Sequence, residues 1–356
     1  MSKRMAALAA GSLVAIMIVA APSLAATLKA VPMAPFNGTD NAAGRMIREQ
    51  AIDKAFTDWV KKYHIANAAL AIREHGTVVD GPAFGNDSPT RPEPVASESK
   101  SVTAMCVLKL VEAGRLKFGD TLGGLVPDFF RANPPHDPAA KDITLAALLT
   151  QASGIDHDPT QGSTVQQFRP FDQTEFAKEL AAGLNHSLGP RKYFYNNINY
   201  AALGLVIETI SGKPYEDFCR SEVLGPAGIG DATLNPPWRM MGSFGGWRLS
   251  AHDEAKFLAY FDPAAGMVQT PPSRWPTSDA GGGALYSLGV EMRPAGSGYN
   301  FWHFGSWSSD QPKASFGAYF LSLPNGMGVA ATYQPTLTDA EGAALDSAMY
   351  TAAASP

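Results

Sequence analysis

The chain has 356 residues, 45% of them hydrophobic and 17% charged, with a formal net charge of −5 at pH 7. That is enough apolar material for a sizeable core and excludes a disordered chain, and the acidic balance without any basic block argues against a nucleic-acid partner. Two cysteines, Cys106 and Cys219, are too few for a disulfide framework.

The chain opens with Lys3 and Arg4, an apolar run from Met5 to Ala21, and Ser23-Leu24-Ala25. This pattern predicts a signal peptide over 1–25, cleaved after Ala25, and hence a periplasmic or secreted protein with no integral span after cleavage. An uncleaved anchor is the alternative, although the run is near the lower length limit for a span. Residues 26–44, rich in Pro, Ala and Gly at their start, read as a lead-in linker. Ile47, Ala51, Ala55 and Trp59, spaced by four, predict a helix and its buried face. Asn67 to Glu74 reads as a strand, His75-Gly76 as a turn, and Thr77 onward as the partner strand. Pro89, Pro92 and Pro94 carry the chain in extended form towards an apolar helical run from Ser101 to Ala113, with Gly114 as its C-cap. Cys106 lies on that run. We expect it and Cys219 to be two separate buried thiols, one disulfide in an oxidising compartment being the other reading.

From Phe118 to about Gly230, helical periods alternate with Pro/Gly loops and no alternating strand is evident. The expected division is a mainly helical domain over 118–230, inserted between segments 45–117 and 231–356 of a sheet domain. Asn199 to Ile210 reads as a helix stopped by Gly212, and Pro214 opens the next. Ser250 is placed to cap a helix from Ala251 to Tyr260. After Gly281-Gly282-Gly283, strands are predicted over Tyr286–Met292, Tyr299–Phe304, Ser315–Leu323 and Met327–Tyr333. Pro324-Asn325-Gly326 joins the last two as a hairpin. Residues 338–353 close the chain as an alanine-rich helix.

The most informative stretch is Ser97-Glu98-Ser99-Lys100. A spacing of three puts Ser97 and Lys100 on one helix face, about 5–6 Å apart at Cβ. A serine at a helix start sits where free N–H groups and the helix dipole favour developing negative charge. A desolvated lysine loses its proton near neutral pH and becomes a base. One short segment thus offers a nucleophile, its base and part of an oxyanion hole. Taken alone, Ser-x-x-Lys is more often a solvated helix start than a catalytic pair.

Two further motifs follow, Tyr195-Asn196-Asn197 and His303-Phe304-Gly305. In this order the three resemble the penicillin-recognising serine hydrolases, nearest the branch of class C β-lactamases, D-Ala-D-Ala carboxypeptidases, D-aminopeptidases and related carboxylesterases. Ile143-Thr144-Leu145, Leu148 to Gly154, Tyr200 to Glu208 and Gly245 to Ser250 resemble that family's flanking segments, so the likeness covers roughly residues 45–350. It implies an α/β (α+β) fold: an antiparallel sheet flanked by helices from both chain ends, with an inserted mainly helical domain. It also implies that Ser97 forms an acyl-enzyme, with Lys100 and Tyr195 as the two base candidates, their order left open. A phenol beside an ammonium is expected to have a lowered pKa. Asn197 would orient Lys100 or the substrate amide, Gly305 would let a substrate backbone approach, and the Ser306 backbone N–H would be an oxyanion donor.

His303 departs from the β-lactamase pattern, where a lysine helps hold the substrate's carboxylate. A neutral histidine favours an esterase or D-amino-acid amidase or peptidase over a true β-lactamase or D-Ala-D-Ala carboxypeptidase. A non-catalytic envelope binding protein of the same fold is the reading from another class. Trp302, Phe304, Trp307, Phe244 and Trp247 are candidates for an apolar substrate pocket or, equally, for core. No Gly-x-Ser-x-Gly, His-x-His, His-Glu-x-x-His or Cys-x-x-Cys occurs, and His157 between Asp156 and Asp158 reads as an exposed loop rather than a metal ligand. We expect no cofactor or metal, a small ester, amide or peptide substrate, no nucleic-acid partner, and a monomer.

Overall fold

The computed structural model describes residues 42–161, 174–310 and 313–355. The expected signal peptide and most of the lead-in lie outside them. Helix α1 (Ala42–Tyr63) forms where the four-residue spacing predicts, but its buried face is Arg48, Ile52, Phe56, Trp59 and Val60. Ile47, expected inside, is 65% exposed. The stripe is turned by one residue because Arg48 goes inward: its Nε donates to Glu74 Oε1 at 2.9 Å, and both residues are buried. Hydropathy reads that pair as solvent-facing, yet a paired charge can enter a core.

Eight antiparallel strands form the main sheet. They are β1 (Asn67–Glu74), β2 (Thr77–Phe84), β3 (Ser278–Gly281), β4 (Ala284–Ser287), β5 (Val290–Ala295), β6 (Gly298–Asp310), β7 (Lys313–Ser322) and β8 (Met327–Gln334). Their order is β2-β1-β8-β7-β6-β5-β4-β3, so the first hairpin closes onto the last strand of the sheet. Register pairs Ile72 with Val329, Phe320 with Ala330 and His303 with Phe320. The predicted strand Tyr286–Met292 is in fact two strands. Leu288 (φ 39°) and Gly289 (φ 79°) turn the chain between them, and a Cβ on Gly289 would lie 2.5 Å from the Lys100 carbonyl oxygen. Edge strand β3 escaped sequence reading because Ser-Asp-Ala-Gly carries no apolar alternation.

Side chains alternate across the sheet. One face carries Trp302, Phe304, Tyr319 and Tyr333 and receives α1 and the closing helix α5 (Asp339–Ala353). There Trp59 meets Tyr333 edge-on at 6.4 Å and the Tyr319 hydroxyl donates to Asp346 at 2.7 Å. The opposite face carries Phe301, His303, Gly305 and Phe320. The turn Ala96–Glu98, which leads into α2 (Ser99–Glu112), packs on it. Helix α3 (Asn197–Ser211) ends at Gly212 in the left-handed conformation (φ 72°). Helix α4 (Ala251–Phe257) opens with a Ser250/Asp253 capping box and continues as a 3₁₀ turn to Phe261. Among the described residues, segment 118–230 contributes helices and loops and no strand of the main sheet.

Cys106 on α2 and Cys219, in the short helix Tyr215–Cys219, are disulfide-bonded, with Cα atoms 5.6 Å apart and both residues fully buried. This overturns the expectation of two separate thiols. The pairing is invisible in sequence because 113 residues separate the partners and only the packing of the two helices brings them together.

Candidate active site

Ser97 sits in the 3₁₀ turn Ala96–Glu98, entered through Ala96 at φ 46°. A non-glycine residue at positive φ is a strained position that its surroundings must hold. Here the Val95 N–H donates to the Trp247 carbonyl at 3.1 Å, within a small sheet of Glu93–Pro94, Trp247–Leu249 and Thr233–Leu234. Ser97 stays partly exposed while Ala96, Glu98, Ser99 and Lys100 are buried. Three hydroxyls fasten α2 behind it. Ser99 Oγ accepts from the Trp247 N–H at 3.0 Å, Ser101 donates to Gly289 O at 2.8 Å, and Thr103 donates to Ser243 O at 2.6 Å.

Lys100 Nζ donates to Ser97 Oγ at 3.2 Å and to the Phe244 carbonyl at 2.9 Å. The ammonium also lies 4.8 Å from the centroid of the Tyr195 ring and 5.9 Å from that of Tyr200. The side chain is fully buried, and burial lowers its pKa to about 7, opposed only partly by the charge of Asp158. The spacing of three therefore brings Ser97 and Lys100 together as the sequence predicts. Their third partner, the Phe244 carbonyl, was not foreseen, because a backbone acceptor leaves no signature. The nearby signal was the glycine pair: a Cβ on Gly245 would meet Met241 Cε at 2.6 Å and one on Gly246 would meet Gly242 Cα at 2.7 Å. At Gly246 the obstacle is backbone, so a glycine there lets this turn close tightly beside that carbonyl.

The Tyr195 pKa is raised, not lowered as expected. Burial is the main cause, and the nearby Ser97 hydroxyl pulls it back only in part. In that low-dielectric setting the neutral phenol is favoured over a phenolate, so the proton stays on Tyr195. His303 is 2% exposed, its ring 6.4 Å from that of Tyr195 and 6.3 Å from that of Tyr286. Burial and then the charge of Lys100 drive its pKa to about 3, and neither ring nitrogen has a partner in hydrogen-bonding geometry. It is neutral at pH 7.

Asn197 does not hold Lys100. Its Nδ2 donates to Thr160 Oγ1 at 3.1 Å, its backbone N–H to Asp158 at 2.9 Å, and its Oδ1 is buried without a partner. At Gly305 the close approach comes from the protein itself, since a Cβ there would sit 2.0 Å from the Val95 carbonyl oxygen. That glycine admits the nucleophile turn. Ser306 follows on β6, partly exposed and opposite Gly317. Trp302 and Phe304 lie on the sheet face away from His303, packed on Arg293 and Tyr319, and Trp247 is sealed under Tyr215. Trp302 and Trp247 are core, and the half-buried Phe304 packs against it. Trp307 packs on Trp238 with centroids 5.0 Å apart, and the Phe244 ring lies 5.8 Å from Lys100 Nζ. Among the described residues no group of three or more His, Cys, Asp or Glu is arranged to hold a metal, and His157 instead stacks on His186 at 3.8 Å.

Residues 52–346 match the family described as Beta-lactamase. Protein flp of Staphylococcus aureus (strain N315) is 31% identical over 188 residues, which are 50% of this chain and 36% of that one. The chain thus matches about a third of that relative's length. Solved structures with the same fold include a D-stereospecific amidohydrolase from Streptomyces sp. (TM-score 0.63, 17% identity, covering 85% of this chain and 97% of that one). A penicillin-binding protein homologue from Pyrococcus abyssi, described as octameric, gives 0.62, 19% identity, and 86% and 76% coverage. A class C beta lactamase from Rhodobacter sphaeroides gives 0.63, 15% identity, and 85% and 99% coverage.

Proposed function

The chain belongs to the beta-lactamase family, and from that premise we propose that it is an exported serine hydrolase that cleaves a small ester or amide through an acyl-enzyme on Ser97. The observation that carries the reading is the contact between Ser97 Oγ and a buried Lys100 whose pKa is about 7. About half of such a lysine is neutral at pH 7, and the neutral amine takes the Ser97 proton as the hydroxyl attacks the acyl carbonyl. The backbone N–H groups of Ser97 and Ser306 receive the developing oxyanion. The Lys100 ammonium so formed passes that proton through the hydroxyl of Tyr195, held neutral by burial, to the leaving alcohol or amine, so both side chains end as they began. Water then gives a proton to the neutral Lys100 amine as it attacks the acyl carbon, and that proton returns to the departing Ser97 oxygen as the acid is released. The unpartnered Oδ1 of Asn197 is available to accept from a substrate amide. Export rests on the leader over residues 1–25.

A neutral His303 offers no cation to a substrate carboxylate. This supports an esterase or D-amino-acid amidase or peptidase over a class C-type β-lactamase or D-Ala-D-Ala carboxypeptidase. The test is hydrolysis of nitrophenyl butyrate, a D-amino-acid amide and nitrocefin side by side, with mass-spectrometric detection of a fluorophosphonate adduct on Ser97. Fastest turnover of the ester or amide is expected. Nitrocefin as the best substrate would favour the β-lactamase reading, and no adduct on Ser97 would leave a non-catalytic binding protein.

A further inference from the structure

We propose that Gln151 is a positioning residue that clamps Tyr195 from both sides, an inference that rests on the reading of Tyr195 as a proton-transfer group. The short helix Leu145–Leu149 ends at Thr150. Gln151 follows at φ 58°, its N–H donating to Leu148 O at 3.2 Å, and the Ala152 N–H donates to Ala147 O at 2.8 Å. This pair of bonds is the Schellman helix end, whose left-handed position is ordinarily glycine because a side chain there is strained. A fully buried glutamine stands in that place instead.

What the glutamine adds over a glycine is its side chain, and both its acceptors point to the Tyr195 segment. The main-chain carbonyl of Gln151 accepts the Phe194 N–H at 2.8 Å. Its Oε1 accepts the Asn196 N–H at 3.0 Å and Asn199 Nδ2 at 2.5 Å. The two peptide N–H groups flanking Tyr195 therefore end on one residue. The clamp is itself anchored. Leu149 O accepts from the Tyr200 hydroxyl at 3.0 Å, and Thr150 O accepts from Ser278 Oγ at 2.6 Å on edge strand β3. Asn196 is tied back through Nδ2 to Ile155 O at 3.0 Å and caps α3 through Oδ1. The strain is retained where it fixes the backbone on both sides of the phenol that faces Ser97 and Lys100. Strained positions are often kept at functional sites.

Gln151→Gly separates positioning from folding, because it relieves the strained backbone while deleting the clamp's side chain. Relief of the strained backbone offsets part of the cost of the two donors left unpaired, so the expected results are a folded protein with Tm within a few degrees of wild type and a kcat on nitrophenyl butyrate about ten- to a hundred-fold lower, with KM within about three-fold, as for a catalytic group misplaced by about 1 Å. Gln151→Glu, which keeps an oxygen at the Oε1 position, should recover kcat to within about five-fold of wild type. In a Tyr195→Phe background, Gln151→Gly should add little, since both changes act through one group. Wild-type kcat in Gln151→Gly, equal impairment of the Gly and Glu variants, or a Tm loss that accounts for the lost activity would each overturn the proposal. Full activity of Ser97→Ala would instead overturn the acyl-enzyme reading, so the two failures are distinguishable.

Discussion

Ser97 and Glu98 are neighbours in sequence, but they open onto two regions of opposite character. On the Ser97 side a buried lysine reaches a partly exposed hydroxyl. On the Glu98 side two carboxyls, Glu98 of the nucleophile turn and Glu254 of α4, are 2% and 1% exposed and have no partner beyond each other. Burial, reinforced by the neighbouring carboxyl, raises Glu98 well above the ordinary carboxylate range. Burial also raises Glu254, to about 8. One low-dielectric core thus favours the neutral form of a base and an acid within a single turn of chain, and of a second acid packed against it from α4. The difference teaches that a perturbed ionisation marks a reactive site only where the group also reaches an accessible partner. Lys100 does so, and the carboxyl pair does not.

The largest test of this contrast is Ser97→Ala, which should lower turnover of every substrate by about 10⁴-fold or more while leaving Tm within a few degrees. Residual activity near wild type would remove Ser97 as nucleophile. Lys100→Ala and Tyr195→Phe should each cripple acylation, and the double variant should be little worse than either, because groups acting as one unit are not additive. Fully multiplicative losses, read by stopped-flow burst amplitudes, would separate their roles.

The pH dependence sharpens the comparison further. Because the base form of Lys100 is the active one and its pKa is about 7, kcat/KM should rise with pH through about 7 and level off above it. A flat profile between pH 6 and 8 would exclude Lys100 as the base.

His303→Lys should raise the nitrocefin-to-butyrate ratio of kcat/KM about ten-fold, one charge-assisted contact being worth roughly 1.5–3 kcal/mol. An unchanged ratio in a folded variant would mean that position 303 does not meet a substrate's acidic end.

The smallest effect on turnover is expected on the other side of the turn. Glu98→Gln with Glu254→Gln should keep kcat within about three-fold. Stability, in contrast, should change its pH dependence. Both carboxyl pKa values are raised in the folded state, so their contribution is full below about 4.5 and is lost as pH rises towards about 8. The wild-type unfolding free energy, and with it Tm, should therefore fall more steeply over that window than the double variant's, by a free-energy difference on the order of 1–3 kcal/mol at the alkaline end. Parallel Tm curves would show that the pair does not titrate there.

Much was legible in the sequence wherever the determinant is local. The Asn67–Glu74 and Thr77–Phe84 hairpin, the Ser250 cap, the Gly212 stop, the Pro324-Asn325-Gly326 turn and the three-residue spacing of Ser97 and Lys100 each depend on a few adjacent residues. The ordered motifs likewise pointed to the family before any contact was known. The rest depends on contacts that sequence spacing does not encode. Arg48 meets Glu74 across 26 residues, Cys106 meets Cys219 across 113, and Lys100 meets the Phe244 carbonyl across 144. Tertiary structure alone turned α1 by one residue, gave Gly305 to the Val95 carbonyl and kept the Tyr195 proton in place. The reason is physical: local patterning selects dihedrals and faces, but desolvation and pairing depend on which distant groups arrive at the same place, and those two effects set every ionisation at this site.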